Sequence, residues 1–152
     1  MILEAFYDAK VKTSPWKRVY ILAELNRLQQ NYPYEDTELH QMLVAVEEET
    51  EMVVGFVDID ARPCKTKIKL PRPYLSDLCV HPDFRRRGIA NRLVKTCEEF
   101  TKQIPRPEIW IRVKGDNNGA IEMYKNLDYS ITGQDENDPA ILVLHKQFES
   151  AE

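Results

Sequence analysis

The stretch LCVHPDFRRRGIA at residues 78–90 decides the fold, because it joins the end of a predicted strand to the start of a predicted helix. The His-Pro dipeptide at 81–82 ends the strand, since proline supplies no N–H to a sheet ladder and restricts the residue before it. Apolar residues then recur at helical spacing over residues 88–103. Three arginines at 85–87 therefore stand at the helix start, where the helix dipole makes positive charge unfavourable.

Two interpretations of these arginines stay open. They either point into water, where salt screens their charge, or they surround an anion that is bound by the free backbone N–H groups of the first helical turn. The loop contains neither a G-x-x-x-x-G-K-[ST] nor a G-x-G-x-x-G pattern. ATP hydrolysis and dinucleotide chemistry on those motifs are therefore not expected.

Working outward, the sequence predicts alternating strands and helices around a mixed sheet. A β-α-β crossover is predicted from the strand at 74–80, the helix at 88–103 and the strand at 109–113. Such a crossover requires parallel pairing of its two strands. The other predicted elements are a helix at 15–30, a hairpin of strands at 42–47 and 52–60, a proline-rich surface loop at 61–73, a short helix at 120–127 and final strands near 129–133 and 140–148.

A second motif reads Asn117-x-x-Ala120-Ile121-x-x-Tyr124-x-x-Leu127-x-Tyr129. Together with the strand, the Arg-x-x-Gly-x-Ala loop and the helix at 78–90, it resembles the GCN5-related N-acetyltransferase (GNAT) superfamily. Asp128-Tyr129 replaces the family's usual Gly-Phe at the end of the motif, and aspartate can supply the left-handed conformation that glycine adopts there.

The resemblance implies an α/β (α+β) fold, a GNAT-like mixed, largely antiparallel sheet with a central parallel β-α-β pair and helices on both faces. It implies a single acetyltransferase domain over residues 1–152, with the family's first strand either at 2–7 or missing. It also implies acetyl-CoA as cosubstrate, with the pantetheine arm in a gap between the diverging strands at 74–80 and 109–113. The residues implied for cofactor binding are Leu78, Cys79, Val80, Arg85, Arg86, Arg87, Gly88, Ile89, Ala90, Asn117 and Tyr124.

In this family an amine usually attacks acetyl-CoA directly in a ternary complex. Tyr124 matches the tyrosine that often protonates the departing thiolate, although it also fits as an aromatic core residue. Asp77 is the strand carboxylate best placed as general base, on the same face as Cys79 and opposite Leu78 and Val80 if the strand alternates strictly; a water chain is the alternative. Asn117 fits equally as a helix cap. Cys79 could accept an acyl group, or be a small buried hydrophobe.

Composition narrows the class of protein. The chain has 152 residues, 43% of them hydrophobic, and a net charge of −4, which disfavours a general nucleic-acid binder. It has no apolar run long enough for a membrane span and no secretory signal at its start, so a cytoplasmic protein is expected, or an organellar one if a transit segment was removed. Three scattered cysteines and three scattered histidines predict neither a disulfide framework nor a metal site.

We therefore expect an acyl-CoA-dependent N-acyltransferase that acts on a small-molecule amine, a protein lysine or a protein N-terminus, as a monomer or homodimer. A non-catalytic acyl-CoA-binding module is the alternative, and a nucleic-acid interaction domain using the arginines is a third, less favoured class. The acidic loop at 135–138 indicates a cationic acceptor, because its carboxylates could attract one. Most other acidic residues, among them Asp58 and Asp60, are expected in solvated turns.

Overall fold

The computed structural model describes residues 38–63 and 71–149. The predicted first strand, the helix at 15–30 and Cys64 lie outside these residues, as does most of the proline-rich loop. The described strands are β1 (His40–Val46), β2 (Val53–Asp60), β3 (Tyr74–Val80), β4 (Glu108–Lys114), β5 (Ser130–Gln134) and β6 (Ile141–Gln147). The helices are α1 (Ile89–Thr101), α2 (Asn118–Asn126) and a short 3-10 helix at Pro82–Phe84.

These six strands form one sheet in the order β1-β2-β3-β4-β6-β5. All neighbours pair antiparallel except β3 and β4, which are parallel and joined through α1. The predicted fold class and the predicted β-α-β crossover are therefore confirmed, and the element boundaries differ from the predicted ones by one or two residues.

The parallel pairing of β3 with β4 is very short. Only Tyr74 pairs with Trp110 and Leu75 with Ile111, although each strand has seven residues. Beyond Leu75 the two strands no longer pair, so the sheet opens into a gap at the carboxyl end of β3. This opening is the structural feature that creates a cleft in the sheet.

A β-bulge in β3 accompanies the opening. Phe56 of β2 pairs with Cys79, whereas Asp58 pairs with Ser76, so β3 has one extra residue opposite β2. The extra residue is Asp77, which adopts a left-handed conformation with φ 53°. The bulge interrupts the alternation of faces, so Leu78 packs against the core as Leu75 does. Cys79 lies on the other face with Phe56, opposite Leu78 as predicted.

The main core lies between the sheet and α1. The α1 residues Val94 and Cys97 are completely buried, and so are Val57, Ile59, Ile109 and Leu144 on the strands beneath them. Tyr124 and Leu127 of α2 join the same cluster. Asp128 follows α2 with φ 65°, which confirms the left-handed conformation predicted for the residue that replaces glycine.

A buried ion pair closes the far end of this core. The Nζ of Lys146 on β6 lies 3.0 Å from Oε1 of Glu98 on α1 and donates to the Leu127 carbonyl at 2.8 Å. The same ammonium lies over the rings of Tyr129 and Phe148. One side chain thus connects α1, the end of α2 and β6.

The packing of α1 depends on a glycine in β2. A Cβ at Gly55 would lie 3.0 Å from both Ile89 Cγ2 and Leu93 Cδ1, so α1 sits too close for a side chain there. We expect Gly55→Val to lower the free energy of unfolding by about 1–3 kcal/mol, because it overpacks this contact. Denaturant unfolding would measure it. Gly133→Val on β5 is the matched control, since nothing lies within 4 Å of its Cβ position; equal losses in the two variants would contradict this account.

Candidate active site

An open cleft of about 800 Å³ lies where β3 parts from β4. Its walls come from the end of β3, the 81–88 turn, the first turn of α1 and one side of α2. Of the residues implied by the sequence for cofactor binding, nine line it: Leu78, Cys79, Val80, Arg85, Arg86, Gly88, Ile89, Ala90 and Asn117. Arg87, Tyr124 and Asp77 are not among the described residues that line the cleft. The cleft also includes Phe84, Asn91 and Met123, which the sequence analysis did not identify.

The start of α1 is open toward this cleft. Gly88 is the N-cap residue, with φ 77°, and no side chain caps the helix. Nothing lies within 4 Å of a Cβ position on Gly88, so the glycine is required by its left-handed backbone and not by crowding within the protein. The first N–H groups of the helix therefore lack a side-chain acceptor and are available to an anion.

The three arginines of the turn have different environments. Arg85 donates from Nε to the Val80 carbonyl at 3.1 Å and lines the cleft with Arg86, which has φ 62°. Arg87 instead turns toward Phe84, with its guanidinium carbon 4.8 Å from the ring centroid, and donates to the Asp83 carbonyl. Two of the three positive charges therefore belong to the cleft.

Cys79 forms part of the β3 wall. It is buried and free, and burial raises the pKa of its thiol to about 11. Because the thiolate is the nucleophilic form, this thiol is almost entirely protonated and unreactive near neutral pH. Cys97, on α1, is completely buried, and burial raises its pKa to about 12. The environment of Cys79 fits a small buried side chain better than an acyl carrier.

The second motif forms the start and the inner face of α2. Asn117 caps the helix, accepting from the Ala120 N–H at 3.2 Å through Oδ1, and it also lines the cleft. Tyr124 is only 4% exposed and contacts the Tyr129 ring edge-on, with ring centroids 5.6 Å apart. Burial raises the pKa of the Tyr124 hydroxyl above its ordinary value. This tyrosine therefore keeps its proton throughout the neutral range.

The acidic loop after β5 does not offer all its carboxylates to a ligand. Oδ2 of Asp135 lies 2.9 Å from Nε of Arg112 on β4, and its Oδ1 accepts from the N–H groups of Asn137 and Asp138. Asp138 in turn accepts from the Ala140 N–H at 3.0 Å. Both carboxylates therefore stabilise the turn itself, whereas Glu136 is exposed.

On the opposite side of the opening, the expectation that Asp58 and Asp60 lie in solvated turns is wrong. Asp58 is buried, and its Oδ1 lies 2.6 Å from Nε2 of His40 on the neighbouring strand. Asp60 is partly buried and pairs with Arg62 and Arg72. The sequence alone did not indicate the His40–Asp58 contact, because it joins residues on two different strands.

No cluster of three or more His, Cys, Asp or Glu side chains within residues 38–63 and 71–149 is arranged to hold a metal ion. In the same part of the chain, no helix has the length and apolar character required to cross a membrane.

Sequence relatives are acetyltransferases. An acetyltransferase of Sodalis glossinidius is 44% identical over 73 residues, which are 47% of this chain and 46% of that protein. An acetyltransferase of Pectobacterium atrosepticum is 50% identical over 54 residues, 34% of this chain and 37% of that protein. The chain thus matches less than half the length of these relatives.

Solved structures share the fold at low identity. A GCN5-related N-acetyltransferase from Kribbella flavida aligns with a TM-score of 0.63 and 17% identity, covering 81% of this chain and 76% of that one. A Bacillus anthracis acetyltransferase in complex with acetyl coenzyme A gives 0.61 and 16%, covering 76% and 67%. Arabidopsis thaliana NAA60 in complex with a bisubstrate analogue gives 0.58 and 20%, covering 84% and 94%. The family model described as Acetyltransferase (GNAT) family matches residues 3–129, and the chain belongs to that family.

Proposed function

We propose that this protein is an N-acetyltransferase that transfers the acetyl group of acetyl-CoA to a primary amine by direct attack in a ternary complex. The observation that carries the proposal is the uncapped start of α1, which opens into the cleft that Arg85, Arg86 and the unpaired end of β3 also line. A family member of the same fold binds acetyl coenzyme A, which supports this choice of cosubstrate.

The pyrophosphate of the cofactor would lie against the first N–H groups of α1. Those groups carry the positive end of the helix dipole, and Arg85 and Arg86 add two full charges beside them. Ala90 and Gly88 keep this part of the wall free of large side chains. The conflict between arginines and a helix start is thus removed by a bound anion.

The pantetheine arm would follow the free edge of β3. Since β3 pairs with β4 only at Tyr74 and Leu75, the later residues of β3 have no β4 partner on that edge. Backbone groups near Cys79 and Val80 can then pair with the amides of the arm, and an N–H there can polarise the thioester carbonyl.

The chemistry needs a neutral amine, because a primary amine with a pKa near ~10.4 arrives as an ammonium ion. After attack, the thiolate of CoA must receive a proton. Tyr124 is our proposed donor, since its hydroxyl stays protonated and its neighbour Met123 lines the cleft. Cys79 is not proposed as a covalent intermediate, because its thiol is protonated near neutral pH.

Asp77 remains our proposed base, acting directly or through water. It occupies the bulge at the edge of the opening and carries a charge that acts on Asp58, Tyr74 and Cys79. The alternative function is an acyl-CoA-binding module without turnover. It would keep the α1 site but would not release free thiol in the presence of an amine.

A screen of thiol release from acetyl-CoA tests the function itself. Amines, polyamines, amino acids and peptides with a free N-terminus or lysine would be compared at equal concentration. Release that depends on an amine supports the enzyme, whereas tight acetyl-CoA binding without release supports the binding module. A preference for neutral or anionic amines would contradict the cationic acceptor suggested by the acidic loop.

The arginines offer a paired test of the cofactor site. We expect Arg86→Gln to weaken acetyl-CoA binding about five- to tenfold at low salt, because it removes a charge from the cleft. Arg87→Gln removes the same charge from a side chain turned toward Phe84 and should change the affinity less than about twofold. Isothermal calorimetry of both variants measures the difference, and equal losses would place the phosphate elsewhere.

The tyrosines of α2 and the following turn offer a second pair. Tyr124→Phe keeps the ring and removes the hydroxyl, so a donor role predicts a fall in kcat of about 100-fold with unchanged acetyl-CoA affinity. Tyr129→Phe is the matched control, because that ring is equally buried and contacts Tyr124. The measurement is kcat of both variants from pH 6 to 9. Equal rates in the two variants would exclude Tyr124 as the proton donor.

A further inference from the structure

A buried polar cluster joins three neighbouring strands beside the opening of the sheet. Nε2 of His40 on β1 lies 2.6 Å from Oδ1 of Asp58 on β2, and the hydroxyl of Ser76 on β3 donates to Asp58 Oδ2 at 3.2 Å. His40 and Asp58 are 8% and 6% exposed. Both oxygens of one carboxylate are therefore held by side chains from the two adjacent strands.

This cluster lies close in the chain to the part of β3 that lines the cleft. Ser76 is the first β3 residue after the last pair with β4, and the next residue, Asp77, forms the bulge. Val57 and Ile59 belong to the core under α1, so Asp58 between them faces the other side of the sheet. The cluster thus lies at the closed end of the opening, on the face opposite α1.

A purely structural role is the simplest alternative, and the protein contains a pair for comparison. Buried Glu98 and partly buried Lys146 also lie 3.0 Å apart, but Lys146 additionally holds the Leu127 carbonyl and covers two aromatic rings. The contacts of that pair thus lie at the end of the core that it closes. The His40–Asp58 pair instead reaches, through one hydroxyl, Ser76 on β3, two residues before Leu78, where β3 begins to line the cleft.

We propose that His40 and Asp58 form a proton-accepting pair that takes, through Ser76, the proton that Asp77 or its water has removed from the acceptor ammonium. This inference rests on the proposed acetyltransferase function. His40, Asp58 and Ser76 are positioning residues in this account, because the pair acts through the hydroxyl and not by contact with the reacting atoms.

The steps balance. The ammonium gives up one N–H proton to Asp77 or its water, which passes it to Ser76; Ser76 accepts this proton and passes its own hydroxyl proton to the pair. The free electron pair of the amine then forms the C–N bond with the thioester carbon, and the C–S bond breaks as the tetrahedral adduct collapses. The thiolate receives the hydroxyl proton of Tyr124, which takes up the second N–H proton of the amine nitrogen, and the pair returns its proton to water after product release.

The electrostatic surroundings of Asp58 agree with this role. Burial raises the pKa of its carboxyl to about 6, while His40 beside it acts in the opposite direction. The other groups that act on it within the described residues are Asp60 on its own strand and Asp77 on β3, and its charge in turn acts on Cys97 of α1. The carboxylate can therefore accept a proton above about pH 6 and cannot below it.

The test is the pH profile of kcat at saturating acetyl-CoA, with the amine that releases thiol fastest in the screen as acceptor. We expect wild-type kcat to fall as the pH drops through about 6. Asp58→Asn should lose this acidic limb and lower kcat at pH 7.5 by about 100-fold. His40→Gln keeps the carboxylate but removes the imidazole that lowers its pKa, so it should move the limb to higher pH.

Glu98→Gln is the matched control, because it also breaks a buried ion pair but should lower only the stability. If Asp58→Asn does not fold, Ser76→Ala provides the test of the pair. It should lower kcat about tenfold, while the fall in kcat below about pH 6 should remain. The role of the pair would be overturned if His40→Gln kept the wild-type pH profile and Ser76→Ala kept the wild-type kcat. It would also be overturned if Glu98→Gln shifted the acidic limb as much as His40→Gln does. Absence of amine-dependent thiol release by the wild-type protein would instead overturn the proposed function.

Discussion

The constraint on which this structure depends is the short parallel contact between β3 and β4. A β-α-β crossover brings the two strands together, yet they pair only at Tyr74 and Leu75. The bulge at Asp77 turns the rest of β3 away from β4, while β2 continues to hold its other edge. The sheet can open in its middle because the antiparallel pairs on both sides remain complete.

Helix α1 connects this opening to the stability of the core. Val94 and Cys97 hold it on the sheet, and the glycine at 55 allows its first turn to approach β2 closely. Its N-terminus is thereby fixed at the cleft without a side-chain cap. A capping side chain at position 88 would accept hydrogen bonds from the first N–H groups of α1 and stabilise the helix. The same N–H groups would then not be available to an anion, so the proposed function is served at a cost in local stability.

Buried charge is used in two different settings. Lys146 and Glu98 close the end of the core where α1, α2 and β6 meet, and Lys146 also holds the Leu127 carbonyl. His40 and Asp58 lie at the closed end of the opening, next to the strand that forms the cleft wall. Burial disfavours charge in both settings, and in the second it raises the pKa of the Asp58 carboxyl to about 6.

The sequence by itself determined the elements whose signals are local. The helical spacing of 88–103, the Arg/Gly loop and the turn at Asp128 could be predicted because each depends on residues close together in the chain. Only the tertiary structure decided the bulge at Asp77, the Arg112–Asp135 pair and the His40–Asp58 contact. Their partners are distant in sequence, and a one-residue bulge reverses the alternation of faces on which strand prediction relies, so packing and register had to be known first.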